Sequence, residues 1–362
     1  MSFQKINHAF EHWLRTQCAV VEADLHCKHK KMRQSPFDFL RATFFRWSGR
    51  IEEICPEIKH APAVLSVGDT HVENFGTWRD VEGRLVWGIN DFDEAAIIPY
   101  PFDIVRLATS ARLAPDREIS NRDAAEAILE GYQAGIVRPR TTLLDEQETW
   151  MRPLVACSDK DRRHFWKEVD DYPSALLPVP PEAERGLQRS LPEGASIERF
   201  ATRRKGGGSL GRPRYVAVAG WRGGHIVREA KALVPSAWDW AHGAPNTAPR
   251  FIDLAVGQYR SPDPFLMVED RYIFRRIAAD ARKVELGPGA GAELRGKLLT
   301  AMGFDIGSIH GADAQASAIR SDIAKRAPDW LYKASKTAAA WVEKDFHEWK
   351  QLRKCEESDA VG

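Results

Sequence analysis

The stretch SVGDTHVENFGTWRDVEGRLVWGINDFDEA, residues 66–95, decides how this chain folds and where its chemistry lies. Two runs, NFGTWRD and RLVWGIND, flank the turn VEG, a pattern that predicts an antiparallel hairpin. In such a hairpin the first residue of one strand lies beside the last residue of the other. Asn74 and Asp91 therefore meet at the open end, and Asp69, in the loop just before Asn74, joins them. Strand alternation accounts for Leu85, Trp87 and Ile89 but not for GDTHVEN. A single Asp or Asn is an ordinary turn residue; a carboxylate, an amide oxygen and a second carboxylate at one strand end are not. They are hard oxygen ligands suited to Mg²⁺, which takes few side chains and completes its shell with substrate phosphates.

Asp69 stands five residues before Asn74, and a hairpin then leads to Asp91. This is the layout of a phosphotransferase site. There an Asp-x-x-x-x-Asn segment supplies the group that orients or accepts the acceptor's hydroxyl proton and one metal ligand, and the later Asp supplies the other ligand. The catalytic candidates are Asp69 and His71, with His71 buttressing the loop. The metal candidates are Asn74, Asp91 and Asp93. Asp93 and Glu94 are placed either to bind a second metal or to face a cationic substrate.

Such a site also needs a cover for nucleotide phosphates and a cation to hold them, and both come later in the chain. KGGGSLGRP places Gly206, Gly208 and Gly211 as GxGxxG around Ser209. A dinucleotide fingerprint opens a helix, whereas RPRYVAVAG continues as a strand. Strand, glycine loop and strand make a lid whose backbone amides approach phosphates closely. The next strand ends at Lys231, the expected phosphate-binding lysine. Its acidic partner is expected from a helix over 247–260, at Asp253, with Glu229 as the alternative. ATP and Mg²⁺ are the cofactors so implied.

Composition sets the frame. A chain of 362 residues exceeds one typical core, so more than one unit is expected. Lys plus Arg number 52 against 51 Asp plus Glu, which argues against a general nucleic-acid binder. The five cysteines are scattered without a CxxC pair and read as reduced thiols of a cytoplasmic protein. The start MSFQKINHAFEHWLRTQC is broken by charges, unlike a signal peptide. No apolar run approaches the ~18 residues that span a bilayer.

Residues 1–60 read as helical, with Ser35 capping PFDFLRA and Pro36 at its first position. Helical patterns also cover PYPFDIVRLATSARLA, 120–135, 143–170, 293–310 and 328–353. Residues 176–194, rich in Pro and Gly, read as a linker. RYVAVAG and HIVREAK, separated by WRGG, form a second hairpin, and RYIFRRI is strand-like. The fold class is α+β in three stretches. Residues 1–195 form the first part of a helical catalytic lobe, 196–287 a small β-rich nucleotide-binding lobe, and 288–362 a helical return.

GDTHVEN resembles the Gly-Asp-x-His-x-x-Asn loop of the aminoglycoside phosphotransferase and choline kinase branch of the protein-kinase-like superfamily, and INDFDEA resembles its metal-binding segment at Asp91. The resemblance implies a two-lobed fold and places Asp103 as a brace for the catalytic loop. LLTAMGFDIGSIHGADA, around His310, resembles the helix that runs into that loop. With the catalytic hairpin first and the glycine lid afterwards, the motif order implies a circularly permuted kinase-like fold. KMRQSPFDFLRA, GDTHVENFG, GGGSLGRPRYVAV, RFIDLAVGQ and SIHGADA also resemble a large bacterial family known as domain of unknown function 2252, whose Lys-Glu-Ala reads Lys231-Ala232-Leu233 here. The reading is a Mg²⁺- and ATP-dependent phosphotransferase acting on an unknown acceptor. Nucleotidyl transfer on the same fold stays open. So do a metal-dependent hydrolase using Asp69, His71, Asp91 and Asp93, and a catalytically silent binding module.

Overall fold

Hairpin register fixes the part of the fold that matters most. The structure, a computed structural model, describes residues 2–115, 118–175 and 178–359, with 352–359 described by backbone alone. Its strands are β1 (Ala63–Ser66), β2 (Phe75–Arg79), β3 (Leu85–Ile89), β4 (Ala96–Pro99), β5 (Thr142–Leu143), β6 (Ser196–Thr202), β7 (Arg214–Trp221), β8 (Gly224–Ala232), β9 (Met267–Glu269) and β10 (Tyr272–Ile277). They make three antiparallel sheets: β1 with β4, β2–β3–β5, and β6–β7–β8–β10–β9. Helices supply the rest, so the protein is a mixed α+β fold.

The expected first hairpin forms, with Phe75 opposite Ile89 and Arg79 opposite Leu85. Its turn is closed by the buried Asp80, whose Oδ1 accepts the backbone N–H groups of Glu82 and Arg84 at 3.0 and 2.9 Å. The second hairpin runs through Trp221 and Gly224, leaving a two-residue turn at Arg222 and Gly223. Both sit at positive φ, 48° and 81°, the primed turn that matches strand twist.

The five-stranded sheet is covered on both faces. Helix Pro181–Arg189 places Ala183 and Leu187 against Tyr215, Ala217, Ala230 and Phe274. Helix Asp159–Asp170 places Val169 against Ala201, Val216, Val218 and Val227 on the other face. Two expectations change here. The stretch expected as a linker contains the 181–189 helix, although its residues 176 and 177 lie outside the described residues. Packing against the sheet also begins well before residue 196, the boundary expected from sequence.

The opening helices form as the pattern predicts, and the Ser35 hydroxyl accepts the N–H of Asp38 at 3.0 Å. The 143–170 stretch is less helical than expected. It opens on β5 and two short turns of helix before Asp159–Asp170. The helix expected over 247–260 shrinks to Phe251–Ala255.

The main core lies among the helices. Helix Asn121–Val137 meets Gly291–Gly311 at two glycine notches: a Cβ on Gly131 would strike the Thr300 carbonyl, and one on Gly303 the Ile128 carbonyl. Backbones therefore approach closely there, and His310 is carried under the β1–β2 loop. Among the described residues no helix is long and apolar enough to cross a membrane. Cys18, Cys27, Cys55 and Cys157 are free thiols; the Cys355 side chain lies outside the described residues.

Candidate active site

The loop between β1 and β2 is held from below. Helix Pro101–Leu113 buries Asp103, which accepts the N–H of Val67 at 2.8 Å on Oδ2 and that of Gly68 at 2.9 Å on Oδ1. The Thr70 hydroxyl donates to the Asp103 carbonyl at 2.6 Å. His310 Nε2 lies 3.3 Å from Asp103 Oδ2, and the Tyr132 hydroxyl meets His310 Nδ1 at 2.8 Å. Gly68 sits at φ 82°, and a Cβ there would collide with the Glu94 carbonyl. The chain can present Asp69 in this way only with glycine before it.

Asp69 is then oriented by a residue the sequence reading did not find. Arg106, fully buried three residues beyond Asp103, donates from Nε to Asp69 Oδ1 at 2.9 Å and from a terminal nitrogen to the same oxygen. Its guanidinium lies under the Phe44 and Trp47 rings and also donates to the Leu40 carbonyl at 2.8 Å. Oδ1 is thereby fixed, and Oδ2 lies beside Gly208 of the glycine loop, 3.3 Å from where a Cβ would stand.

The open end of the hairpin closes as expected. Asn74 Nδ2 donates to the Asp69 carbonyl at 3.2 Å and to the Asp91 carbonyl at 3.1 Å, which ties the three residues into one corner. Its amide oxygen takes no hydrogen bond from the described residues. His71 Nδ1 accepts the N–H of Glu73 at 3.2 Å, placing the proton of a neutral ring on Nε2. Burial, with Arg41, Arg106 and Lys283 nearby, holds the His71 pKa well below its usual value. His71 is therefore a neutral loop member near pH 7.

Lys231 reaches this corner from the far side. Register puts Arg214 opposite Lys231 and Val216 opposite Glu229 on one face of the sheet, with Arg275 opposite Glu229. Of these, Arg214 and Arg275 line a cleft of about 1050 Å³, together with Asp69, Asn74, Asp91 and Gly206–Ser209. Lys231 Nζ lies 3.1 Å from Asp91 Oδ2 and pairs closely with Asp93. Burial would raise the Asp91 carboxyl, but the Lys231 ammonium, a hydrogen bond with Asp93 and the Arg275 and Arg214 guanidinium groups together outweigh it and hold the group well below the usual carboxylate range. Burial and the Asp91 charge push Asp93 the other way, upward.

Two acidic assignments need correcting. Asp253 is not brought to Lys231; it is half exposed, sits 3.9 Å from Arg250, and lines a separate cavity of about 240 Å³. Glu229 is fully buried but serves Arg214, Arg275 and Arg203 at 3.1, 2.8 and 3.4 Å. Lys231 is met by Asp91 and Asp93 instead. Nor do Asp93 and Glu94 face a cationic substrate. Arg212, just past the glycine loop, bonds Asp93 at 3.2 Å and Glu94 at 2.7 Å, and Glu94 also accepts the N–H of Ala237 at 2.7 Å.

The oxygen set suits a small hard cation. Asp93 Oδ1 is buried without a hydrogen-bond partner, Asn74 has its amide oxygen uncommitted, and the Asp91 side chain is 37% exposed to the cleft. Among the described residues no three His, Cys, Asp or Glu side chains cluster to hold a metal on their own. A cation that draws part of its shell from phosphate oxygens needs no such cluster.

Residues 20–171 match the family model of an uncharacterized protein conserved in bacteria, domain of unknown function 2252. The resemblance to domain of unknown function 2252 is borne out over that stretch. It contains Asp69, Asn74, Asp91, Asp103 and Arg106 and ends before the glycine loop and Lys231. No curated protein and no solved structure matches the chain.

Proposed function

We propose that the cleft is the active site of a Mg²⁺- and ATP-dependent phosphotransferase. One observation carries this reading: the corner formed by Asp69, Asn74 and Asp91 lies between the glycine loop and Lys231. Phosphoryl transfer asks for little covalent help and mainly for positioning and charge, which is what these groups supply. Lys231 and the backbone of Gly206–Gly211 hold the triphosphate, the lysine leaving Asp91 to do so. Asn74 and Asp91 would hold Mg²⁺, which would offset the charge of the phosphates. Asp69 Oδ2 accepts the proton of an acceptor hydroxyl as its oxygen bonds to the γ-phosphorus. The bond from that phosphorus to the β-phosphate oxygen breaks, and ADP leaves with the electron pair. The strand–glycine loop–strand order, with Lys231 on the third strand, supports a two-lobed kinase-like arrangement in circularly permuted order.

Calorimetric titration of ATP with and without Mg²⁺, repeated on Asp91→Ala, tests this. Mg²⁺-dependent binding that the substitution weakens at least tenfold, about 1.4 kcal/mol, is the expected result. Binding indifferent to both Mg²⁺ and Asp91 would overturn it.

A further inference from the structure

Lys28 is a buried ammonium in the cleft wall, and nothing in the site as described accounts for it. It is 5% exposed, and its Nζ donates to the Gly208 carbonyl at 2.9 Å. It lies 5.9 Å from the centroids of the Phe10 and Phe45 rings. Among the described residues no carboxylate forms an ion pair with it. An ammonium offers three donors, and an unpaired buried charge is retained only against a substantial desolvation cost. Burial and the Arg212 guanidinium lower its pKa to about 8, with Glu11, Glu94 and Asp69 acting in the opposite direction. It still carries its proton at pH 7. A cleft lysine perturbed in this way is a candidate for function.

Its position narrows the role. Gly208 meets both Lys28 and Asp69: its carbonyl takes the Lys28 hydrogen bond, and Asp69 Oδ2 lies 3.3 Å from where a Cβ on it would stand. Lys31, by contrast, is exposed and donates to the Gly206 carbonyl at 3.1 Å, a tether at the loop's outer edge. Between a glycine loop that holds phosphates and a carboxylate that receives the acceptor's proton lies the group being transferred. We propose that Lys28 is a catalytic cation that binds the γ-phosphoryl group of ATP in this corner and stabilises its charge during transfer. The assignment rests on the phosphotransferase reading above. Lys28 keeps its proton throughout, since Asp69 takes the one released by the acceptor.

The test separates a γ-phosphate contact from a clamp on the loop. Mg²⁺·ATP and Mg²⁺·ADP are titrated calorimetrically at pH 7 into the unsubstituted protein, Lys28→Met and Lys28→Arg, with thermal melting to verify folding. Lys28→Met should lose about tenfold or more in affinity for ATP while ADP stays within about twofold, the scale of one charge-assisted hydrogen bond. Lys28→Arg should retain part of the preference for ATP. Equal losses for both nucleotides would make Lys28 a structural clamp and overturn the proposal, as would no loss for either. If Lys28→Met does not melt cooperatively, Lys28→Gln replaces it with the same criteria. Failure of the unsubstituted protein to bind either nucleotide would remove the phosphotransferase reading, and this assignment with it.

Discussion

Asp69 has one oxygen committed and one presented, and a single arginine makes the difference. Arg106 is wholly buried, so Asp69→Asn and Arg106→Met should each be costly. Removing one partner of a buried pair typically costs about 3–5 kcal/mol, discounted here because Asp69 is 19% exposed. Urea denaturation of both variants and the double variant gives their coupling, expected at about 1–3 kcal/mol. Strict additivity would mean that Arg106 packs against the site without holding Asp69. Lys28 has the opposite sign. Its pKa in the fold is about 8 against a usual 10.5, so between those values the unfolded chain binds more protons and stability rises with pH. The penalty is fully present below pH 8, amounts to about 3 kcal/mol, and is gone above about 10.5. Lys28→Met should therefore flatten the rise between pH 7 and 10.5 by about that amount. Identical pH profiles for the two proteins would show that Lys28 is not desolvated.

Secondary-structure elements explain which parts of the site were legible. The β2–β3 hairpin was readable because alternation and a short turn leave one register, and that register places Asn74 beside Asp91 without further information. Lys231 was readable because β7 and β8 are joined by a turn with few alternatives. Arg106 left a faint trace, a charge inside the apolar run DIVRLATS three residues after Asp103, where helical spacing puts both on one face. Lys28 showed only as the first residue of the basic run KHKKMR, a run that could lean towards phosphates, while Arg212 and the Arg203 and Arg275 partners of Glu229 left no trace, since those pairings join segments far apart in sequence. Asp253 failed for a different reason: a helix over 247–260 was expected, and a single turn formed, Phe251–Ala255, whose acidic side chain faces outward. The glycines of GYQAG and GFDIG were also passed over, although their spacing of four marks one face of each helix. Gly303→Ala should cost about 1–3 kcal/mol, because its Cβ would press on the Ile128 carbonyl where backbone has little room to yield. A urea midpoint unchanged from the unsubstituted protein would mean that the two helices can separate freely.

Across the whole molecule, the five-stranded sheet and the glycine loop beside it meet the segment between β3 and β4 through charge at the cleft. Lys231 reaches Asp91 and Asp93, while Arg212 reaches Asp93 and Glu94. The chain carries a net charge of only +1, so this is local pairing and not a general field. Arg212 is the more structural of the two cations because it is buried against two carboxylates that burial already pushes upward, Asp93 and Glu94. Arg212→Met leaves both without that guanidinium, and their pKa values should climb further above the unfolded values of about 3.9 and 4.3. A carboxyl whose folded pKa is raised contributes stability that is present below its unfolded pKa and lost as pH rises through its folded pKa. The deficit of the variant should therefore be largest near neutral pH, about 3–5 kcal/mol, and should shrink steadily as pH falls toward about 4. Urea denaturation of both proteins at pH 5 and pH 7.5 measures it directly. A deficit equal at the two pH values would mean that Arg212 holds the glycine loop to the site by packing alone, with Asp93 and Glu94 neutralised by other groups.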